Sequence, residues 1–286
     1  MFKLLSGILL ATTLSAQTPT LLSGQPQSVP AGPNAQAKFR ELVSAARDPI
    51  WIGYSVPAVE GMGSNCCYSS SDWMMGCTIE PGDRSVTRTS AGAGTAKLEA
   101  FRYVLILFRA QSGVVERIST FSGDCPIDAG SRAVYWLDGV TPADSLTILR
   151  SLIPNNVSEK DKIARSAFRA ISLHDEPSVF AMLESTARSS ADPNQRAATA
   201  ALAHYYGSRG LASLRRMLND QSASNDPRNR EHLVSMIYQS RDPQAISALI
   251  EIARSDRDRQ VRKRAVFWLS RSRTPEAQRF IDAILK

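Results

Sequence analysis

Four times in the second half of the chain an aspartate is followed four residues later by an arginine: Asp161…Arg165, Asp192…Arg196, Asp226…Arg230 and Asp258…Arg262. Successive arginines stand 31, 34 and 32 residues apart. That period accommodates two helices and their turns but not a self-sufficient core, so units of this kind must stack on one another. Each Asp falls where a helix should begin, and Pro193 and Pro227 take the next position in two of the four. An Asp side chain accepts hydrogen bonds from the first free N–H groups of a helix. Proline at the first helical position gives up a donor that had no partner there. The Arg lies on the same helix face and can return to its Asp or reach its counterpart in the neighbouring unit.

A second set of helix starts alternates with the first: Thr141-Pro142, Glu176-Pro177, Asp242-Pro243 and Thr274-Pro275. Where the series needs one more, Ser208-Arg209-Gly210 stands without Pro. The helices so opened carry apolar residues in register, among them Leu146, Leu149 and Leu152, then Leu211, Leu214 and Met217, then Ile246, Leu249 and Ile252. The partner helices offer Ile163, Ala167, Phe168 and Ile171 in one unit and Val261, Ala265, Trp268 and Leu269 in the last. Each helix has one apolar stripe, and stacking buries the stripes continuously.

The segment Asp258-Arg259-Gln260-Val261-Arg262, continued by Ala265 and Leu269, resembles the D-x-x-V-R-x-x-A-x-x-x-L signature of HEAT-like repeats, and the short period is closer to the phycobilin lyase-type variant than to long HEAT units. The resemblance covers about residues 141–286 and is looser in the earlier units, where Gln195 and Asn229 take the Val position. It implies an extended, concave surface that binds other macromolecules. Fold alone does not determine function.

The first half has another character. Strand-like runs occupy residues 51–56, 103–109, 114–121 and 133–137, and the middle two are separated by Gln111-Ser112-Gly113, as a hairpin requires. A helix is expected over 37–47, where Phe39, Leu42, Val43 and Ala46 recur at helical spacing. All four cysteines lie here: Cys66, Cys67, Cys77 and Cys125. A bond between adjacent cysteines strains the disulfide geometry, so each of Cys66 and Cys67 is expected to bond with one of Cys77 and Cys125. The spacing lacks the paired C-x2-4-C of a thiolate zinc site. The expected fold class is therefore α+β, a small disulfide-bonded antiparallel β-rich domain over 37–140 followed by an α-solenoid of HEAT-like helical pairs over 141–286. Residues 17–36, rich in Thr, Ser, Gln, Pro and Gly, are expected to form a flexible leader.

Residues 1–16 have the form of a secretory signal: Lys3, a mostly apolar run over 4–14, and Ala16 before a cleavage point. The run is too short to span a bilayer, which takes about 20 residues. The chain is thus expected to be exported, periplasmic or secreted, and soluble after cleavage, with no transmembrane segment in the mature protein. An even cysteine count suits that compartment. Charge is unevenly placed: residues 1–142 hold 11 Lys+Arg and 11 Asp+Glu, which leaves 23 and 16 for residues 143–286, where the whole formal +7 resides.

No catalytic motif, cofactor fingerprint or metal-ligand spacing emerges. His174, His204 and His232 fall at different phases of the repeat and are not expected to converge. Gly92-Ala93-Gly94-Thr95-Ala96-Lys97 lacks the phosphate-loop order. Asp124 and Asp128 flank Cys125 with no histidine in that half to serve as a base. Two features could bind partners: the basic cluster Arg254, Arg257, Arg259, Lys263, Arg264, Arg271 and Arg273, and Trp73 in a loop that could present an aromatic anchor. The expected function is non-enzymatic, a scaffold or adaptor that binds another protein through the helical array. One alternative is a charge-driven binder of an anionic envelope polymer. The other is a hydrolase-like site in the β domain using Asp124, Asp128 or a serine. Nucleic acid is not the expected target of an exported chain.

Overall fold

A computed structural model of the chain describes residues 18–23, 25–66, 68–70, 73–75, 77–80, 102–154, 161–220 and 226–285. The chain folds into a five-stranded sheet with helices on one face and, continuing from them, a double layer of helices.

Strands β1 (Gln27–Pro30) and β2 (Ile50–Pro57) are separated by helix α1 (Ala35–Ala45), whose first turn is capped by the Asn34 side chain. Two short pairs follow: β3 (Tyr68–Ser70) runs antiparallel to β4 (Trp73–Met75), and β5 (Cys77–Thr78) runs parallel to β8 (Ile127–Asp128). The long strands β6 (Tyr103–Gln111) and β7 (Val114–Ser122) form the expected hairpin. Its turn residues Ser112 and Gly113 both have positive φ, 51° and 79°, the geometry that suits the twist of a two-residue hairpin turn. The last strand, β9 (Val134–Asp138), enters parallel to both β1 and β2, giving the order β1-β9-β2-β6-β7. The domain is thus antiparallel through β2, β6 and β7 and parallel at its other edge.

Both faces of the central strands are buried, which explains the unalternating apolar run of β6. On one face Ile52, Tyr54, Ile106 and Phe108 join Phe39 of α1 and the helical layers in a single core. On the other, Trp51, Leu105, Leu107, Phe121 and Trp136 pack with Cys77 and Cys125. Gly53 is obligatory here, because a Cβ would lie 2.7 Å from the Trp136 ring.

Two features of the first half add to what the sequence led one to expect. The leader 17–36 is not structureless where it is described. Its β1 joins the main sheet, and the Ile127 N–H donates to Thr20 O while the Leu22 N–H donates to Ile127 O. Such a segment has no apolar period of its own; it is ordered by strand edges contributed from about a hundred residues further on. Secondly, the cut at residue 140 does not separate two cores, since the buried cluster runs from Ala31 to Phe280 without interruption. Cys66 and Cys125 form a disulfide with Cα atoms 5.3 Å apart, in keeping with the expected avoidance of an adjacent pair. Cys77 is disulfide-bonded as well, its sulfur 3.5 Å from that of Cys125, while Cys67 lies outside the described residues.

The helices are α2 (Pro142–Arg150), α3 (Lys162–Ile171), α4 (Pro177–Arg188), α5 (Gln195–Tyr205), α6 (Gly207–Asn219), α7 (Pro227–Gln239), α8 (Ala245–Ser255), α9 (Arg259–Arg271) and α10 (Pro275–Ile284). Helices α5, α7 and α9 pack side by side as one layer, with α6, α8 and α10 behind them. Thr141 closes a capping box with Asp144, and Asp161, Asp226 and Asp258 each accept a bond from an N–H of the first helical turn. Asp192 differs. Its carboxylate accepts from the Asn194 N–H in a turn through Pro193, and α5 begins only at Gln195. Asp242 and Pro243 do the same before α8. Pro at the second position of a reverse turn suits both sites.

The missing Pro near residue 209 also has a cause. α5 and α6 are joined through Tyr206 alone, the corner is made by Gly207 at φ +47°, and a Cβ at Gly210 would stand 1.9 Å from Leu202 O. Of the four repeat arginines, Arg230 alone is buried among the described residues. Its Nη2 donates to both carboxylate oxygens of Asp256 at 2.9 Å, its Nε lies 4.0 Å from Asp258 of the next unit, and its Nη1 donates to Leu218 O. Arg262 donates to the backbone oxygens of Asp256 and Arg257. Arg165 and Arg196 make no ion pair among the described residues.

The segment after β2 ties the sheet to the array. Asp175 N–H donates to Pro57 O, Val59 N–H donates to Leu173 O, and Arg241 donates to Gly61 O. Gly61 lies against the backbone of Tyr205, where a Cβ would be 2.3 Å from its carbonyl oxygen. This short strap therefore crosses the C-terminal ends of α3, α5 and α7 in turn. Beneath it runs a buried polar chain. His174 Nδ1 faces the carbonyl oxygens of Ala170 and Ile171 at 3.0 and 3.2 Å, so it carries the proton. Nε2 must then accept from the Ser145 hydroxyl at 2.8 Å, leaving the Tyr54 hydroxyl 3.0 Å away to donate to Ser145. Burial lowers the His174 pKa to about 4 and raises that of Tyr54, so both are neutral in the folded protein.

Candidate protein-binding face

The outward face of α7 and α9 carries the most developed recognition chemistry. Val261, Ala265 and Leu269 bury one side of α9 at four-residue spacing, which turns Arg264, Phe267, Trp268 and Arg271 to another. Trp268 stacks on Tyr238 of α7, with ring centres 4.6 Å apart and planes inclined by 20°. Its indole N–H donates to Ser235 at 3.1 Å, tying the two units. Phe267 meets the Trp268 ring edge-on at 5.2 Å yet stays 42 % exposed. The Arg264 guanidinium lies 5.3 Å from the Phe267 ring and 5.4 Å from that of Trp268, and Arg271 lies 5.5 Å from Phe267. Each such cation–ring contact contributes about 0.5–1 kcal/mol at an exposed site, and the Arg264 Nε is itself buried without a hydrogen-bond partner among the described residues. Full burial of a Phe is worth about 1.5–3 kcal/mol, so the exposed part of Phe267 leaves about 1 kcal/mol for a partner to gain.

The structure divides the basic cluster read from the sequence. Arg264 and Arg271 belong to this aromatic face. Arg259 and Lys263 project about a third of a turn away on α9, exposed and without ion pairs among the described residues, as is Arg273 beyond the helix. Arg254 lies over the Phe280 ring at 5.4 Å, beside Glu276 in a cleft of about 520 Å³ between α8 and α10. Arg257 lines a separate cleft of about 290 Å³ with Arg215, Glu251 and the Arg230–Asp256 pair. The seven residues therefore do not form one patch, because successive helical positions diverge by about 100°. Trp73 lies on β4, and its side chain is outside the described residues. Tyr238 and Phe267 are not among the candidates read from the sequence, although a Phe beside a Trp within a run of arginines is a usable signal.

The histidines stand apart: His174 at the junction, His232 with Nε2 2.9 Å from the Thr199 hydroxyl, and His204 beside the Tyr205 ring. Burial lowers the pKa of His204 and of His232, with nearby Arg241 and Arg196 acting in the same direction. Around Cys125 the chemistry is structural. Its sulfur is held in the bond to Cys66 and is no nucleophile, and the Asp128 carboxylate accepts from the Gly130 N–H. Cys66, Cys77 and Cys125 bring three sulfurs within 4.8 Å, but all three cysteines are disulfide-bonded and so offer no thiolate to a metal.

A double layer of stacked helix pairs that presents aromatic and cationic side chains along one layer is a helical-repeat scaffold. Residues 194–270 match the HEAT repeats family, which places the match wholly within the helical array over α5 to α9. No curated protein and no solved structure matches the chain. Among the described residues no helix is long and apolar enough to cross a membrane.

Proposed function

We propose that this chain is an exported, non-enzymatic adaptor that grips a protein partner with the aromatic–arginine face of α7 and α9. The observation that carries the reading is Phe267, held half in solvent between two arginines and a stacked Trp268–Tyr238 pair. Aromatic and Arg residues are the side chains that dominate protein interfaces, and a fixed cluster loses little conformational freedom on binding. The disulfides support export, since such bonds persist in oxidising compartments.

The test is affinity capture from envelope extract with the intact chain as bait. A bait cut near residue 140 would open the shared core. A discrete protein that survives a salt wash, and is lost from a Phe267→Asp, Arg264→Glu bait, is the expected result. Capture that fades uniformly as salt rises would instead support binding to an anionic polymer. Equal capture by the wild-type and variant baits would remove this face from the mechanism.

A further inference from the structure

The corner between the sheet edge and the first helices of the array holds a groove of about 730 Å³, separate from the α7–α9 face. One wall is β7, the outermost strand of the main sheet. The Gly123 N–H donates to Tyr103 O, which fixes the phase of the hairpin ladder. Phe121 and Ser119 therefore spend their backbone groups on β6, while Ser122, Thr120 and Ile118 turn theirs outward. Asn65 uses two of these groups: its carbonyl oxygen accepts from the Ser122 N–H at 3.0 Å and its side-chain amide donates to Thr120 O at 2.9 Å. It occupies the place of a sixth strand for a single residue. The Thr120 N–H and both backbone groups of Ile118 have no partner among the described residues.

The opposite wall is cationic. Lys162, Arg165 and Arg169 recur along one side of α3, all exposed, and none forms an ion pair among the described residues. Among the described residues no acidic side chain lines the groove. A strand edge and a row of exposed cations, both without partners among the described residues, ask for an extended chain that brings its own carboxylates.

We propose that the groove takes an extended acidic peptide segment of a partner protein, which adds as a strand along β7 and sets alternate carboxylates against Lys162, Arg165 and Arg169. Ile118 lies in the core shared with the helices and Phe121 in the core on the far side, so an added strand would likewise send every second side chain toward α3. Alternate residues of a strand are about 7 Å apart, and the three cations span about 10 Å of helix, so two acidic residues separated by one match the row. In strand addition the main chain gives affinity and the alternate side chains give specificity.

The test uses the full chain and a fluorescein-labelled peptide of alternating Glu and Val, followed by anisotropy. Two companions accompany it, one with Lys in place of Glu and one with Pro in place of alternate residues to remove the N–H groups. The expected result is binding of the Glu peptide alone, weakened roughly tenfold or more by Arg165→Glu with Arg169→Glu, as befits two charge-assisted contacts. Amide exchange at Ile118 and Thr120 should slow when the peptide binds. The peptide comparisons use the wild-type protein, so they stand whether or not the variant folds. Equal binding of the Pro peptide, equal binding of the Lys peptide, or no binding of the Glu peptide would overturn the proposal. So would Ile118 and Thr120 amides already protected in the concentrated free protein, which would mean that a second copy of the chain covers the edge.

Discussion

Replacing His174 with Gln should remove a specific part of the pH dependence of folding. The imidazole is buried and neutral, one nitrogen donating to the end of α3 and the other accepting from Ser145. Its pKa is lowered to about 4, first by burial and also by Arg150, against 6.5 in the unfolded chain. The unfolded state therefore takes up the proton first. The stability tied to the neutral ring is complete above about pH 6.5, is lost as pH falls from there toward about 4, and does not change further below that. Between about pH 7 and about pH 4.5 this one group should cost the wild type about 2 kcal/mol. The variant begins weaker by about 1–3 kcal/mol, because the carbonyl contacts at the end of α3 are lost. Urea unfolding followed by the fluorescence of buried Trp51 and Trp136 gives both curves. His204 and His232 remain in both proteins, so their pH effects cancel in the difference. The gap between wild type and His174→Gln should narrow by about 2 kcal/mol on acidification. A gap that stays constant across the range would refute the reasoning, since it would mean that the buried ring titrates alike in both states.

Other outcomes follow from single contacts. Gly210→Ala should destabilise by about 3 kcal/mol or more, since its Cβ would meet Leu202 O at 1.9 Å and backbone cannot step aside; a chemical melt checks this. Arg230→Met leaves the Asp256 carboxylate buried without its cation and should cost about 3–5 kcal/mol, whereas Arg230→Met with Asp256→Leu should recover much of it in the same melt. Cys66→Ser with Cys125→Ser opens a loop closed over 59 residues and should cost about 4 kcal/mol on the chain-entropy account, read from the urea midpoint. Phe267→Ala should cost about 1–2 kcal/mol in a chemical melt, since the half-buried ring gives up its contacts with Trp268 and two arginines, and should reduce partner capture by a folded protein.

The helical array was legible because its causes are local. Asp161, Asp226 and Asp258 can cap a helix wherever they stand, Pro177 and Pro275 favour a first turn, and an apolar residue at every third or fourth place leaves a stripe that only a neighbouring unit can bury. The β6–β7 hairpin was legible for the same reason, since Ser112-Gly113 carries its turn in two residues. The parallel insertion of β9 and the recruitment of 27–30 into the sheet were not legible, for both depend on strand edges that exist only after distant segments meet. Nor could charge alone sort the arginines of the last unit: Arg264 and Arg257 are seven positions apart in sequence, yet one lies over aromatic rings and the other in a cleft between units. The sequence determined by itself which segments become helices and that they must stack, through capping and periodicity. That the sheet and the array share one core, with a strap across three helix ends and a neutral His174 at the seam, emerges only on folding, because burial and the pairing of distant backbone groups belong to no single segment of the chain.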